Sequence, residues 1–194
     1  IINYFILSAI DLKIQIYYSI ISQNIMDFFI KNYVKFTDMV CVKVGRITMY
    51  LVFAMMFILI LSFVTRNIIN FPLIWIIEMA QFIITAYYIL GGSYSMITND
   101  HVRMDLFYSK FSEKNKARMD AFTSIFLFFY LVTLLYGSIS SLNYTLETNQ
   151  RLFTAWRPYV WPIKSIMTFG ILLMLLQTLS MFFKDLYRIK GEKI

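Results

Sequence analysis

The chain is poor in the residues that carry most protein chemistry. Among 194 residues there is one cysteine, Cys41, and one histidine, His101. A single thiol cannot close an internal disulfide, and Cys41 lacks the neighbouring ligands of a structural metal site. It reads as a buried or interfacial thiol. A single histidine excludes a haem held between two histidines of one subunit. The six glycines form no phosphate-cradling loop, and no Ser-His-Asp set or metal cluster occurs. No constellation for catalysis is present, so the reading is a non-enzymatic protein without a cofactor. Gly/Ser linkers, tandem repeats and a separate soluble domain are also missing.

Apolar residues are abundant instead. Hydrophobic residues make up 59% of the chain and aromatics 19%, and the mean hydropathy is +0.65. Soluble domains are about 45–50% apolar, so this excess points to lipid as the solvent. A spanning helix takes about 20 mostly apolar residues. Four segments qualify: residues 47–65, 73–98, 121–146 and 165–183. The fold class expected is an all-α integral membrane protein with four transmembrane helices and interfacial amphipathic segments. The short connections predict antiparallel neighbours. Residues 31–194 form one membrane domain in this reading. Residues 1–30 read as an interfacial helix or an upstream extension, with Met26 as an alternative start.

The net charge of +7 could suggest nucleic acid in a soluble protein. Here the basic residues lie between the apolar runs and set orientation, so the partner is the lipid bilayer and not nucleic acid. One side carries Lys31, Lys35, Lys43 and Arg46, then Arg103, Lys110, Lys114, Lys116 and Arg118, then Lys184, Arg188, Lys190 and Lys193. The other carries only Arg66, Arg151, Arg157 and Lys164. The richer side is assigned to the cytoplasm, together with both termini. The aromatic residues Trp75, Trp156, Tyr159 and Trp161 then mark the opposite interface, where Pro72 and Pro162 open the second and fourth spans.

The first span is plain. The second carries Glu78, Gln81, Thr85, Tyr88, Gly92 and Ser95 at helical spacing on one face. Lipid penalises Glu and Gln there, so the face is expected to meet protein, either within the bundle or on another subunit. A weaker stripe runs through Tyr130, Thr133, Gly137, Ser141 and Tyr144, and the fourth span offers Gly170 and Gln177. Glu78 is the intramembrane carboxylate, a candidate for structural pairing with Arg66 or a partner's cation, or for proton coupling. After the second span, Asn99-Asp100-His101-Val102-Arg103-Met104-Asp105 leads into Leu106, Phe107 and Phe111, an interfacial amphipathic segment. Ser112 can cap the next helix, with Glu113 in its first turn. His101 and Asp105 alone make a poor metal site. They read, with Arg103, as a hydrogen-bonding cluster that fixes the loop.

These motifs, in this order, resemble the small membrane subunit of tripartite ATP-independent periplasmic (TRAP) transporters, the DctQ-like family. The resemblance spans roughly residues 39–185. Its most specific part is His101-Val102-Arg103-Met104-Asp105, supported by Trp75 and Glu78 early in the second helix and Gly91 and Gly92 near its end. Gly137, Pro162 and Gly170 fit a looser pattern. Residues 1–30 and Lys164 depart from it. The resemblance implies a static, non-catalytic scaffold in the bacterial inner membrane. Its partners would be a large sodium-coupled membrane subunit and a periplasmic solute-binding protein, for uptake of organic acids by symport. Trp75, Glu78, Gln81, Thr85, Gly92, His101, Arg103 and Asp105 are the candidate interface or structural polar residues. Arg66, Arg151 and Arg157 are candidates for docking an acidic surface of the binding protein, or for anchoring in the headgroups. Two other readings compete: a homodimeric proton-coupled transporter using Glu78, and the membrane anchor of an enzyme complex.

Overall fold

A computed structural model describes the backbone of residues 2–71, 73–98 and 113–191. The described residues form four helices: α1 (Ile2–Asn67), α2 (Ile76–Thr98), α3 (Glu113–Thr148) and α4 (Trp161–Lys190). Each contains a stretch long and apolar enough to cross a membrane. Nearly all of the described residues lie in these helices. The protein is therefore an all-α, multi-pass membrane protein. Its exposed surface agrees, because Tyr50, Phe53, Phe57, Ile60 and Phe63 of α1 and Phe122, Phe126 and Phe129 of α3 stand open on the outside of the bundle. In water such contiguous apolar surface is an association hazard, whereas acyl chains solvate it.

α4 is the hub. It packs against α1, α2 and α3, and α1 packs against α2. α3 rests almost wholly on α4. Chain direction follows from the contacts: Gly45 of α1 meets Tyr94 of α2, and Gly92 of α2 meets Met174 of α4. The α1–α2 turn and the α3–α4 hairpin therefore share one end of the bundle, called the hairpin end below. The far ends of α2 and α4 lie at the tail end.

Helix α1 differs from expectation. The apolar span begins at Ile47, but the helix is continuous from Ile2 and meets α4 from Asp27 onward. At about 1.5 Å per residue its 66 residues reach about 99 Å, well beyond a hydrocarbon layer of about 30 Å. Nor is it plain. Val34, Thr37, Cys41, Gly45 and Thr48 are all buried and recur every three or four residues. This small and polar line lets α1 approach its neighbours closely. It starts before the apolar window, so a reading keyed to hydropathy passes over it. Two glycines sit at tight helix contacts. A Cβ on Gly45 would sit 2.6 Å from Tyr94 Cβ, and one on Gly170 of α4 would sit 2.4 Å from Ile89 Cγ2.

The helix ends follow local chemistry. α4 opens with Pro162 in its first turn, where no intrahelical N–H is lost. It closes at Gly191, whose φ of 86° places it in the left-handed region, with its N–H directed at the Arg188 carbonyl.

Candidate functional site: two polar clusters and the flank of α2

At the tail end, α1 and α4 are joined through Asp38. Lys184 Nζ lies 2.6 Å from Asp38 Oδ2. Gln177 Nε2 donates to Asp38 Oδ1 at 3.0 Å, and Ser180 Oγ donates to the same oxygen at 3.3 Å. Gln177 and Ser180 are fully buried, while the ion pair is half-buried. Two flanking contacts extend the seam. Tyr33 Oη donates to the Leu176 carbonyl at 3.0 Å, and Tyr187 Oη donates to Asp27. Apolar segments pack non-directionally, so these polar bonds fix the register of α1 against α4. Buried donors left without acceptors are costly, which makes the register selective.

At the hairpin end, Lys164 of α4 ties down α3 and the hairpin. Its Nζ lies 2.5 Å from Thr145 Oγ1 and 3.3 Å from Gln150 Oε1. One turn along, the Ser138 and Thr168 hydroxyls are 2.6 Å apart across the same interface. Residues 150–160 fold back as a tight hairpin, with Val160 N–H bonded to the Gln150 carbonyl and Leu152 N–H to the Pro158 carbonyl. Arg151 and Tyr159 face each other across it. The Arg151 guanidinium donates to the Tyr159 hydroxyl and lies 4.2 Å from the ring centroid.

The sequence-derived residues of α2 separate into two groups. Glu78 and Gly92 turn toward the bundle. Glu78 is 5% exposed, and its buried Oε2 has no hydrogen-bond partner among the described residues. Gly92 packs on Met174, with 3.0 Å from an added Cβ to the sulfur. Gln81 and Tyr88 stand exposed on the flank. Thr85 is half-buried there, its hydroxyl bonded back to the Gln81 carbonyl at 2.7 Å. Trp75 is half-buried just before the helix, and its carbonyl accepts from Met79 N–H. Arg66, Arg151 and Arg157 are all exposed at the hairpin end, Arg66 in the last turn of α1 and the others on the hairpin. His101, Arg103 and Asp105 lie outside the described residues, as do Ser112 and Pro72.

Sequence reasoning missed Asp38 entirely and assigned Lys184 to the basic tail. The available signal was an acidic residue within Phe36-Thr37-Asp38-Met39-Val40, one turn from a small-residue line. Among the described residues no group of three or more His, Cys, Asp or Glu side chains gathers to hold a metal.

A bundle of four spanning helices, tied by polar clusters at both ends, defines a membrane component. Residues 55–188 match the family model described as tripartite ATP-independent periplasmic transporters, DctQ component. The chain belongs to that family, a component of TRAP transporters, as the resemblance implied. No curated protein matches it.

Proposed function

We propose that this chain is the non-catalytic small permease subunit of a TRAP-type secondary transporter. It braces a large sodium-coupled membrane subunit that takes up organic acids delivered by a periplasmic binding protein. The membrane is the bacterial inner membrane, with the hairpin end facing the periplasm and both termini in the cytoplasm. Membership of the DctQ family carries the reading. The packing supports it: the tail and hairpin clusters hold α1, α3 and α4 in register, as suits a brace. The exposed flank of α2, with Gln81, Thr85 and Tyr88, is the face assigned to the large subunit, because exposed amide and hydroxyl groups gain more from a protein surface than from acyl chains. The loop that holds His101, Arg103 and Asp105 belongs to the same contact in this reading. Arg66, Arg151 and Arg157, all exposed at the hairpin end, are the docking cations for the binding protein in this reading.

The test is purification in mild detergent from the native host. A much larger membrane protein is expected to copurify with this chain in a fixed ratio, and recovery of monomers or homodimers alone refutes the proposal. Glu78 favours one second reading, since a buried intramembrane carboxylate oxygen without a partner among the described residues is a candidate proton site. In that case the chain alone transports in liposomes and Glu78→Gln abolishes it. Under the leading proposal the isolated chain transports nothing.

A further inference from the structure

Glu78 is a carboxylate without a counterpart. It is 5% exposed, and Oε2 is sealed with no hydrogen-bond partner among the described residues. The cations of the hairpin end do not serve it. Lys164 is held by Thr145 and Gln150, and Arg151 by Tyr159. No ion pair joins Arg66 or Arg157 to Glu78 among the described residues. The basic tail end is about 30 Å away, at about 1.5 Å per residue from Glu78 to Thr98. Lipid penalises a bare carboxylate at this depth. Protonation removes the charge, but it leaves an O–H and a C=O that still need partners.

A packing seam runs beside this residue. On α2, Ile77, Gln81, Ile84 and Tyr88 stand exposed. Their spacing of four, three and four residues draws one line along the helix, about 16 Å long at about 1.5 Å per residue. Alternating steps of three and four are those by which one helix packs on another. Ala86, Ser93 and Met96, off this line, are buried in the bundle, so the exposed line is the face left over. Glu78 borders it, one residue after Ile77 and three before Gln81. Its carboxylate turns about a broad two-fold torsion, so either oxygen can swing toward that edge.

We propose that Ile77, Gln81, Ile84 and Tyr88 seat a spanning helix of the large subunit, and that this helix brings a lysine or arginine to Glu78. The contact belongs to the small-subunit reading above and rests on it. An ammonium or guanidinium supplies both things the carboxylate lacks, a counter-charge and N–H donors. Gln81, about one turn further along, offers its amide to the same helix. A second copy of this chain does not fit. A two-fold axis normal to the membrane keeps every residue at its depth, so pairing through this line sets Glu78 against Glu78. Two facing carboxylates repel where one cation attracts.

The test is made on the complex purified in mild detergent. A photo-reactive amino acid at position 81 should bond to the large subunit, at a peptide within two turns of a lysine or arginine. Glu78→Gln should lower the large subunit retained per chain about tenfold, as loss of one buried charge-assisted bond implies, and Glu78→Lys should lower it further. Exchanging the partner's cation for glutamate should restore retention to the Glu78→Lys variant, which a merely structural role of Glu78 would not allow. Failure of that exchange counts against a cation partner. Unchanged retention in both Glu78 variants overturns the proposal while the subunit reading stands. So does a crosslink from position 81 to a second copy of this chain. Loss of uptake in Glu78→Gln with retention intact overturns it in favour of the proton site. A wild-type chain that retains no large subunit refutes the subunit reading itself, and this contact with it. Should Glu78→Lys lose its helical circular dichroism, Glu78→Gln and the crosslink decide.

Discussion

Asp38 is the residue on which the tail end turns. Its two carboxylate oxygens serve Gln177, Ser180 and Lys184, two of which are fully buried. Asp38→Ala leaves the Gln177 amide and the Ser180 hydroxyl without their acceptor, at an expected cost of about 1–3 kcal/mol. Asp38→Asn keeps one acceptor oxygen and should cost less. Reversible unfolding in mixed micelles measures both, and an alanine variant as stable as wild type would remove Asp38 from this role. The half-buried ion pair itself adds little, since solvent screens it. Such a residue is hard to read from sequence. Between Lys35 and Lys43, Asp38 looks like part of a charged flank, and its partner Lys184 lies 146 residues away. Glu78 was readable for the opposite reason: it stands alone in an apolar run, where any carboxylate draws attention.

At the scale of the elements, small residues decide how near the helices come. Gly170 lies at a tight contact between α2 and α4. An added methyl meets Ile89 Cγ2 at 2.4 Å and the Ile89 backbone at 3.3 Å. The Ile89 side chain can rotate away, but the backbone cannot, so Gly170→Ala must push α2 from α4. The expected loss is about 1–3 kcal/mol. Gly137 of α3 has nothing within 4 Å of an added Cβ. Gly137→Ala is therefore expected to be neutral or to stabilise by up to about 1 kcal/mol through helix propensity. Equal effects of the two substitutions in the same unfolding assay would contradict the packing described. Sequence pattern marked both glycines alike, as small residues on spanning helices. Only the contact distinguishes them, because periodicity identifies a face and not what lies opposite it. The four apolar runs were readable because hydropathy is a local property. The extent of α1 was not, because its contacts with α4 begin at Asp27, twenty residues before Ile47, where charged residues interrupt the apolar pattern.

The whole molecule has its two ends chemically distinct. One holds the α1–α2 turn and the α3–α4 hairpin, with few cations. The other holds the last turns of α2 and α4, beside a lysine- and arginine-rich tail. In the proposed orientation the hairpin end is periplasmic. Single cysteines introduced into a Cys41→Ala background read this directly. Ala155→Cys on the hairpin, an exposed position, should react with a membrane-impermeant maleimide in intact cells, whereas Arg188→Cys should react only after the membrane is permeabilised. The reverse pattern would invert the topology, and labelling of both in intact cells would exclude the four-span arrangement. Family membership was readable at this scale because it rests on the order of motifs along the chain. The polar clusters at the ends were less so, since each is assembled from helices distant in sequence.

The dependence of α3 on α4 has a consequence for how the protein is made. A ribosome delivers α3 to the bilayer before α4, which is its main support, exists. α1 and α2 can pair as a hairpin as soon as they are inserted. α3 must wait among acyl chains until residues 161–190 emerge. Its stretch from Ala121 to Leu146 carries no charge, so lipid tolerates it during that interval. The two side chains on it that bond to α4, Ser138 and Thr145, are hydroxyls; Thr145 bonds back to its own helix at 2.8 Å, and such groups can await their partners on α4 without a costly exposed charge. The cation that completes this junction, Lys164, arrives last and with the helix that brings it.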